Sequence, residues 1–167
     1  MRRNVPLLML ASMVLCVSGS TAQQKRSLQE TDSEGLKKAV AGLKGKVVFV
    51  NFWATWCAPC VAEFPDIVKL YQKYHAKGLE VIAVTFDMEA PTAVPFLDRH
   101  KADFINLWKS AKQEDNAFMT GFDKDCLGAL PDSWLFDQKG KRVYFHMGPF
   151  DPIALDKQIA ALLALPK

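Results

Sequence analysis

The sequence has few residues that bind metals, and they form no metal-binding pattern. Its 167 residues include only four cysteines and three histidines. A structural zinc site needs four ligands, usually two cysteine pairs or one pair together with histidines, whereas Cys57 and Cys60 are the one closely spaced pair in the chain. Attachment of a c-type haem would require a histidine at position 61, where the sequence has Val61. We therefore expect no metal and no other cofactor.

Long hydrophobic runs are also missing. The main apolar run, residues 5–17, has 13 residues, whereas a membrane-spanning helix needs about 20. With two arginines before it and small residues after it, this run predicts a secretory signal peptide over residues 1–22, cut after Ala22, and thus export across the inner membrane to the periplasm. A retained anchor is one alternative. A lipid on Cys16 is another, although Leu15 before it is larger than is usual at a lipid-attachment site.

The chain has no strong excess of charge of one sign. Its formal net charge is +3. The predicted signal peptide contains two of the 21 basic residues and none of the 18 acidic ones, so the 145 residues that follow carry a net charge of +1. We therefore expect no nucleic-acid partner and no stable insertion into a membrane. The length predicts a single domain, which we place at residues 32–167, after a flexible leader over residues 23–31.

Hydrophobic patterns predict an alternation of helices and strands. The near-continuous apolar stretches 46–54 and 79–86 are typical of strands buried on both faces. Segments 133–137 and 141–147 predict the two strands of a hairpin. Helices are expected at residues 32–46, 58–75, 91–101, 113–122 and 151–165. This order predicts an α/β fold in which a central mixed β-sheet is flanked by helices on both faces.

The motif Cys57-Ala58-Pro59-Cys60 lies where a buried strand meets a helix, which favours redox chemistry. The unpaired N–H groups and the dipole of a helix N-terminus stabilise a thiolate at Cys57. Cys60 lies one turn further along, close enough to attack a disulfide formed at Cys57. Pro59 suits the first helical turn because it has no N–H to leave unpaired, and Trp56 places an apolar ring beside the sulfur. A purely structural disulfide would close too small a ring to stabilise the fold much.

Three segments of the sequence resemble one known family. “KVVFVNFWATWCAPCVAEFP”, “GLEVIAVTFD” and “LGALPDSWLFDQKGKRVYFHMG” are similar to the active-site segment, the second core strand and the cis-proline loop with its hairpin in envelope thiol–disulfide oxidoreductases of the TlpA/ResA type, which have the thioredoxin-like fold. The resemblance implies that Cys57 is the exposed nucleophile and Cys60 the buried resolving thiol. It also implies a cis peptide bond before Pro131, with substrate peptide lying along Leu130 and Pro131.

Three further residues are candidates for a role near the cysteine pair. Glu80 lies in an otherwise apolar strand, where a buried carboxylate is costly, and the family carries a glutamate near its cysteines. We therefore expect Glu80 to exchange a proton with Cys60, the alternative being a strand-end carboxylate that faces water. Asn51 either replaces the buried aspartate of cytoplasmic thioredoxins or simply ends a strand. Cys126 is either a small, half-buried apolar residue or a redox-active thiol at the rim of the site.

Together these patterns predict a thiol–disulfide oxidoreductase that exchanges disulfides with other proteins in the periplasm or cell envelope. We expect a monomer whose partners are protein thiols and disulfides and an envelope redox partner. The residues expected to contact substrate are Trp56, Pro59, Leu130 and Pro131. Two alternatives stay open: a non-catalytic binding module on the same fold, such as a metallochaperone, and a thiol peroxidase. The direction of electron flow is also open, because reduction potentials vary widely among proteins of this fold.

Overall fold

The computed structural model describes residues 26–165, which form one sheet with helices on both of its faces. The strands are β1 (Gln29–Thr31), β2 (Val47–Trp53), β3 (Leu79–Thr85), β4 (Ile105–Lys109), β5 (Asp132–Phe136) and β6 (Arg142–Met147). The helices are α1 (Ser33–Gly42), α2 (Ala58–Tyr74), α3 (Ala90–His100), α4 (Asp115–Phe122) and α5 (Pro152–Leu163). The predicted α/β architecture with a mixed sheet is confirmed.

The strand β2 lies inside the sheet, whose order is β1-β4-β3-β2-β5-β6. It pairs in parallel with β3 and antiparallel with β5. All seven of its residues are buried, as its continuous apolar sequence predicts. A parallel pair needs a long crossover connection, which α2 supplies between β2 and β3, whereas β5 and β6 are joined directly as the predicted antiparallel hairpin.

Two adjacent aromatic residues at the end of β2 anchor the cores on the two faces of the sheet. Successive side chains of a strand point to opposite faces. Trp53 packs on α2 and α3, with its ring 4.5 Å from that of Phe64 and 5.0 Å from that of Phe96. Phe52 packs on the other face, 5.6 Å from Phe118 of α4 and 4.4 Å from Trp134 of β5. The end of β2 is therefore fixed by packing from both sides.

Two strands of the sheet differ from the sequence-based expectation. Residues 29–31, predicted to belong to a flexible leader, form β1 and pair in parallel with β4. The strand β4 was not predicted and pairs in parallel with β3. A three-residue strand is too short to show a pattern, and in β4 the polar Asn106 and Lys109 interrupt the apolar residues that would reveal it.

Some expectations fall on the ends of the chain. The predicted signal peptide, residues 1–22, and the alternative lipid-attachment site at Cys16 lie outside the described residues. Among residues 26–165, none of the helices is both long enough and apolar enough to cross a membrane.

The packing around Phe52 leads to a prediction of stability. Phe52→Ala should lower the free energy of unfolding by about 3–5 kcal/mol, because the removed ring is completely buried among other aromatic rings. Urea unfolding followed by circular dichroism measures this loss. Ile153→Ala, at a side chain that is 67% exposed, is the control and should change stability by less than about 0.5 kcal/mol. Equal effects of the two substitutions would contradict this account of the core.

Candidate active site

Cys57 lies at the N-terminus of α2, directly after the central strand. β2 ends at Trp53, and residues 54–56 lead to the helix, which begins at Ala58. Cys57 is the N-cap residue: its backbone is extended, with φ −87° and ψ 97°, and its Sγ accepts a hydrogen bond from the backbone N–H of Cys60 at 3.4 Å. In the reduced protein a sulfur in this position faces the positive end of the helix dipole, which stabilises the thiolate.

The two cysteines form a disulfide and differ in their exposure. Cys57 keeps 6% of its surface exposed, whereas Cys60 is completely buried. Trp56, just before the pair, is 63% exposed, and Pro59 within the motif is also exposed. An incoming thiolate or disulfide therefore reaches the sulfur of Cys57 and not that of Cys60.

Asp87 fixes the loop that leads from β2 to Cys57. Its buried carboxylate accepts hydrogen bonds from the backbone N–H and the hydroxyl of Thr55 and from the hydroxyl of Thr85, at 2.6–3.3 Å. Asp87 is not among the predicted site residues. The sequence could have predicted that Asp87 lies near Cys57, because Asp87 follows β3 and the parallel strands β2 and β3 end at the same edge of the sheet.

A buried carboxylate, that of Glu63, lies one helical turn beyond Cys60. Its Oε1 accepts a hydrogen bond from Nδ2 of Asn51 at 3.0 Å, and its Oε2 accepts one from the backbone N–H of Phe150 at 3.2 Å. The same Asn51 nitrogen donates to Oγ of Ser133 at 3.1 Å. Burial raises the pKa of Glu63 to about 7, and the two hydrogen bonds only partly oppose this rise. Glu63 therefore changes its protonation state near neutral pH.

Glu80, the carboxylate predicted to serve the cysteine pair, lies elsewhere. It pairs with Val48 near the start of β2, and its Oε1 lies 3.9 Å from Nζ of Lys46 and 3.6 Å from Nδ1 of His75. The end of β2 is five residues further on, about 16 Å away at the rise of a strand. The structure therefore does not bring Glu80 to the cysteines, and this placement corrects the prediction.

Glu63 has the position that the sequence reasoning assigned to Glu80. Residues three apart on a helix share a face, so Glu63 lies on the same side of α2 as Cys60, and both are buried. This spacing is visible in the sequence. It is easily missed, because Glu63 lies in a helix in which polar residues are common, whereas Glu80 stands out among the apolar residues of a strand.

The loop before β5 closes the site opposite Cys57. The Leu130–Pro131 peptide bond is cis, as predicted. A surface cavity of about 420 Å³ is lined by Cys57, Leu130, Trp56 and Pro59, among others. The structure thus brings together three of the four residues expected to contact substrate with Cys57, and Pro131 follows Leu130 as a buried residue.

Other cavities and clusters lie away from the cysteine pair. Two larger grooves, of about 800 and 630 Å³, lie beside β1 and between α1 and α4, and no cysteine lines either of them. In the described part of the chain, no group of three or more histidine, cysteine, aspartate or glutamate side chains is arranged to hold a metal ion. The third cysteine of this part, Cys126, is completely buried and contacts Asp132.

A disulfide at the start of the helix that follows the central strand, opposite a cis-proline loop, defines a protein of the thioredoxin-like class. Within this class, the chain belongs to the redoxin family, because the Redoxin family model matches residues 17–163.

Individual relatives agree with this assignment. Thiol-disulfide oxidoreductase ResA of Bacillus cereus is 42% identical over 120 residues, which make up 68% of this chain and 61% of the relative. ResA of Bacillus subtilis is 26% identical over 151 residues, covering 85% of this chain and 80% of that protein. The solved structure of a putative thiol:disulfide interchange protein DsbE from Chlorobium tepidum is 34% identical and superposes with a TM-score of 0.64, covering 75% of this chain and 85% of that chain. These matches confirm the predicted fold and the family resemblance.

The buried carboxylate of Glu63 predicts a pH dependence of stability. The pKa of Glu63 rises from 4.5 to about 7 on folding, so the folded state holds the proton more tightly. The stability gained from this proton is fully present below about pH 4.5 and is lost as the pH rises through 7. Between pH 5 and pH 8, wild type should therefore lose about 2–3 kcal/mol more stability than Glu63→Gln.

Urea unfolding of both oxidised proteins at pH 5 and pH 8 measures this difference. A pH-independent offset between them is expected from the changed hydrogen bonds and does not bear on the slope. Parallel pH dependences of the two proteins would contradict the titration assigned to Glu63.

Proposed function

We propose that the chain is a thiol–disulfide oxidoreductase that exchanges disulfides with proteins in the cell envelope and acts as a monomer. The observation that carries this proposal is the Cys57–Cys60 disulfide, in which Cys57 caps α2 and lines the cavity shared with Leu130. The names of the ResA relatives support it, although the matched region makes up only 61% of the first of them. The envelope location is supported by the predicted signal peptide over residues 1–22.

The exchange takes place in two steps. In the reducing direction, the thiolate of Cys57 attacks one sulfur of a substrate disulfide, and the other substrate sulfur leaves as a thiolate. The thiolate of Cys60 then attacks Sγ of Cys57, which forms the Cys57–Cys60 disulfide and releases the second substrate thiol. Two electrons pass to the substrate, so an envelope dithiol has to reduce the pair before the next turnover. The reverse sequence oxidises a substrate dithiol.

Glu63 is the group to which we assign proton transfer. The thiol of Cys60 has to lose its proton before it attacks, and it is completely buried away from water. Glu63 lies one turn further along the same helix face, and its pKa of about 7 suits the exchange of a proton near neutral pH. The amide of Asn51 donates to the carboxylate and thereby holds it in place.

Substrate peptide is proposed to lie along Leu130 and Pro131, opposite Trp56 and Pro59. Among residues 26–165, neither the N–H nor the C=O of Leu130 has a hydrogen-bond partner. Both groups are available to an extended peptide, which pairs with exposed backbone as an added strand does. The exposed indole of Trp56 offers an apolar surface on the other side of the sulfur.

Serine substitutions separate the two steps. Cys57→Ser should abolish the reduction of insulin by the reduced protein, because no thiolate is left at the accessible position. Cys60→Ser should still attack but not release, so a mixed disulfide with insulin should accumulate. Insulin turbidity follows the first effect and mass spectrometry of the intact adduct the second. Wild-type rates in Cys57→Ser, or a Cys60→Ser protein without any adduct, would argue against the two-step scheme.

Two glutamine substitutions test which carboxylate transfers the proton. Glu63→Gln should remove one inflection near pH 7 from the rate–pH profile of disulfide exchange, since an amide neither gains nor loses a proton there. Glu80→Gln is the matched control and should give the wild-type profile. Glu80 is also a glutamate, but it lies on β3 beside the start of β2, far from the cysteines. Stopped-flow measurement between pH 5 and pH 9 distinguishes them. The opposite result would return the role to Glu80.

A further inference from the structure

A buried thiol and a buried carboxylate meet beside the cysteine site but take no part in the proposed exchange. Sγ of Cys126 donates a hydrogen bond to Oδ2 of Asp132 at 2.7 Å, and both side chains are completely buried. Asp132 directly follows Pro131 and is the first residue of β5. Burying a carboxylate is costly unless the group has a role or a partner, so this contact calls for a physical explanation.

The protonation states make Cys126 a donor and not a nucleophile. Burial, reinforced by Asp132, raises the pKa of the Cys126 thiol to about 12. Burial also raises the pKa of Asp132, to about 6, while the hydrogen bond from Cys126 and the charge of His146 act in the opposite direction. At neutral pH a protonated thiol therefore donates to an ionised carboxylate, an arrangement stronger than a hydrogen bond between neutral groups.

The contact lies at the point where the loop of residues 123–130 approaches Cys57. The first part of this loop is held by other groups: the carboxylate of Asp123 accepts from the indole of Trp134 at 2.9 Å and from Arg142, which also donates to Asp125 at 2.7 Å. The last part has no such support, since residues 127–130 have only apolar side chains and take part in no backbone–backbone hydrogen bond within the described chain.

The sulfur of Cys126 links this last part of the loop to the sheet. It donates to Asp132 at the start of β5 and lies two residues before Gly128 in the chain. Gly128 and Leu130 both line the cavity that contains Cys57. Gly128 passes close to α4, because a Cβ at this position would lie 2.4 Å from Oδ1 of Asn116. The position of Gly128 and Leu130 in the cavity wall therefore depends on the Cys126–Asp132 contact.

We propose that the Cys126–Asp132 hydrogen bond positions Gly128 and Leu130 against Cys57 and so determines how tightly the site binds disulfides carried by an extended peptide. Cys126 and Asp132 are positioning residues, since neither lines the cavity. The inference rests on the proposed exchange function and adds a substrate preference to it. A small disulfide without a backbone gains nothing from Leu130, so its reaction at Cys57 does not depend on the contact.

Kinetics with two substrates test the proposal. Cys126→Ala should raise the KM for insulin roughly tenfold, the loss expected for a hydrogen bond to a charged group, with little change in kcat. The rate with hydroxyethyl disulfide should be unchanged. Cys126→Ser keeps a donor and should restore the KM to within about twofold of wild type. An unchanged KM in Cys126→Ala, or an equal loss with both disulfides, would overturn the proposal.

Asp132→Leu separates positioning from stability. An ionised carboxylate is costly to bury, and one oxygen of Asp132 has no hydrogen-bond partner in the described chain, so this variant should unfold at no lower urea concentration than wild type. It nevertheless leaves the thiol without its acceptor, and its KM for insulin should rise as in Cys126→Ala. Ser33→Ala is the matched control, because it removes a buried hydroxyl that accepts from Gln113 and does not line the cavity. Its KM should equal that of wild type.

Amide hydrogen exchange measures how the Cys126–Asp132 contact affects the loop, independently of enzymatic activity. The amides of residue 126 and Gly148, which donate to the carbonyl oxygens of Asp123 and Pro131, should exchange faster in Cys126→Ala and Asp132→Leu than in wild type and Cys126→Ser. Equal exchange in all four proteins would overturn the positioning role. A wild type that reacts with neither disulfide would instead overturn the proposed function, so the two failures are distinguishable.

Discussion

The central strand β2 determines where every part of the site lies. It is paired on both edges and buried on both faces, so a shift of one residue would turn each core side chain to the wrong side. Side chains on both faces of the sheet pack against its last two residues. This packing fixes the end of β2 and therefore the position of Cys57, which follows it. The one polar side chain within the strand, Asn51, joins Glu63 of α2 to Ser133 of β5. The same strand therefore holds the fold together and connects the groups around the sulfur atoms.

Three buried carboxylates surround this end of the sheet, and each comes from a different element. Glu63 lies on α2, Asp87 follows β3, and Asp132 begins β5. Glu63 and Asp87 each have several hydrogen-bond donors that offset the cost of burial. Asp132 has one, Cys126, and its other oxygen is buried without a partner in the described chain. Glu63 and Asp132 have pKa values raised towards neutrality by burial, and such groups concentrate at functional sites. Burying these carboxylates therefore lowers the free energy of unfolding at the edge of the sheet where the cysteines lie.

Sequence reasoning succeeded where the physical signal is local. Continuous apolar stretches revealed β2 and β3, the cysteine spacing revealed the start of α2, and the family resemblance implied the cis bond at Leu130–Pro131. It failed at β1 and β4, whose residues become a sheet only through their partners. Glu80 looked functional because its neighbours are apolar, yet position along the strand decides what a side chain meets. The Cys126–Asp132 contact depends on the path of a loop without periodicity, which no pattern encodes.

Because Cys60 is completely buried, Cys57 is the only sulfur of the pair through which the proposed exchange can take place. Every protein that gives or takes a pair of electrons has to bond to Cys57, so donor and acceptor occupy the same face in turn and exclude each other. Such a carrier works by double displacement, and an excess of either partner slows the other by competition. Tight binding to one partner would then block the flow, so a carrier built in this way gains from brief encounters with both.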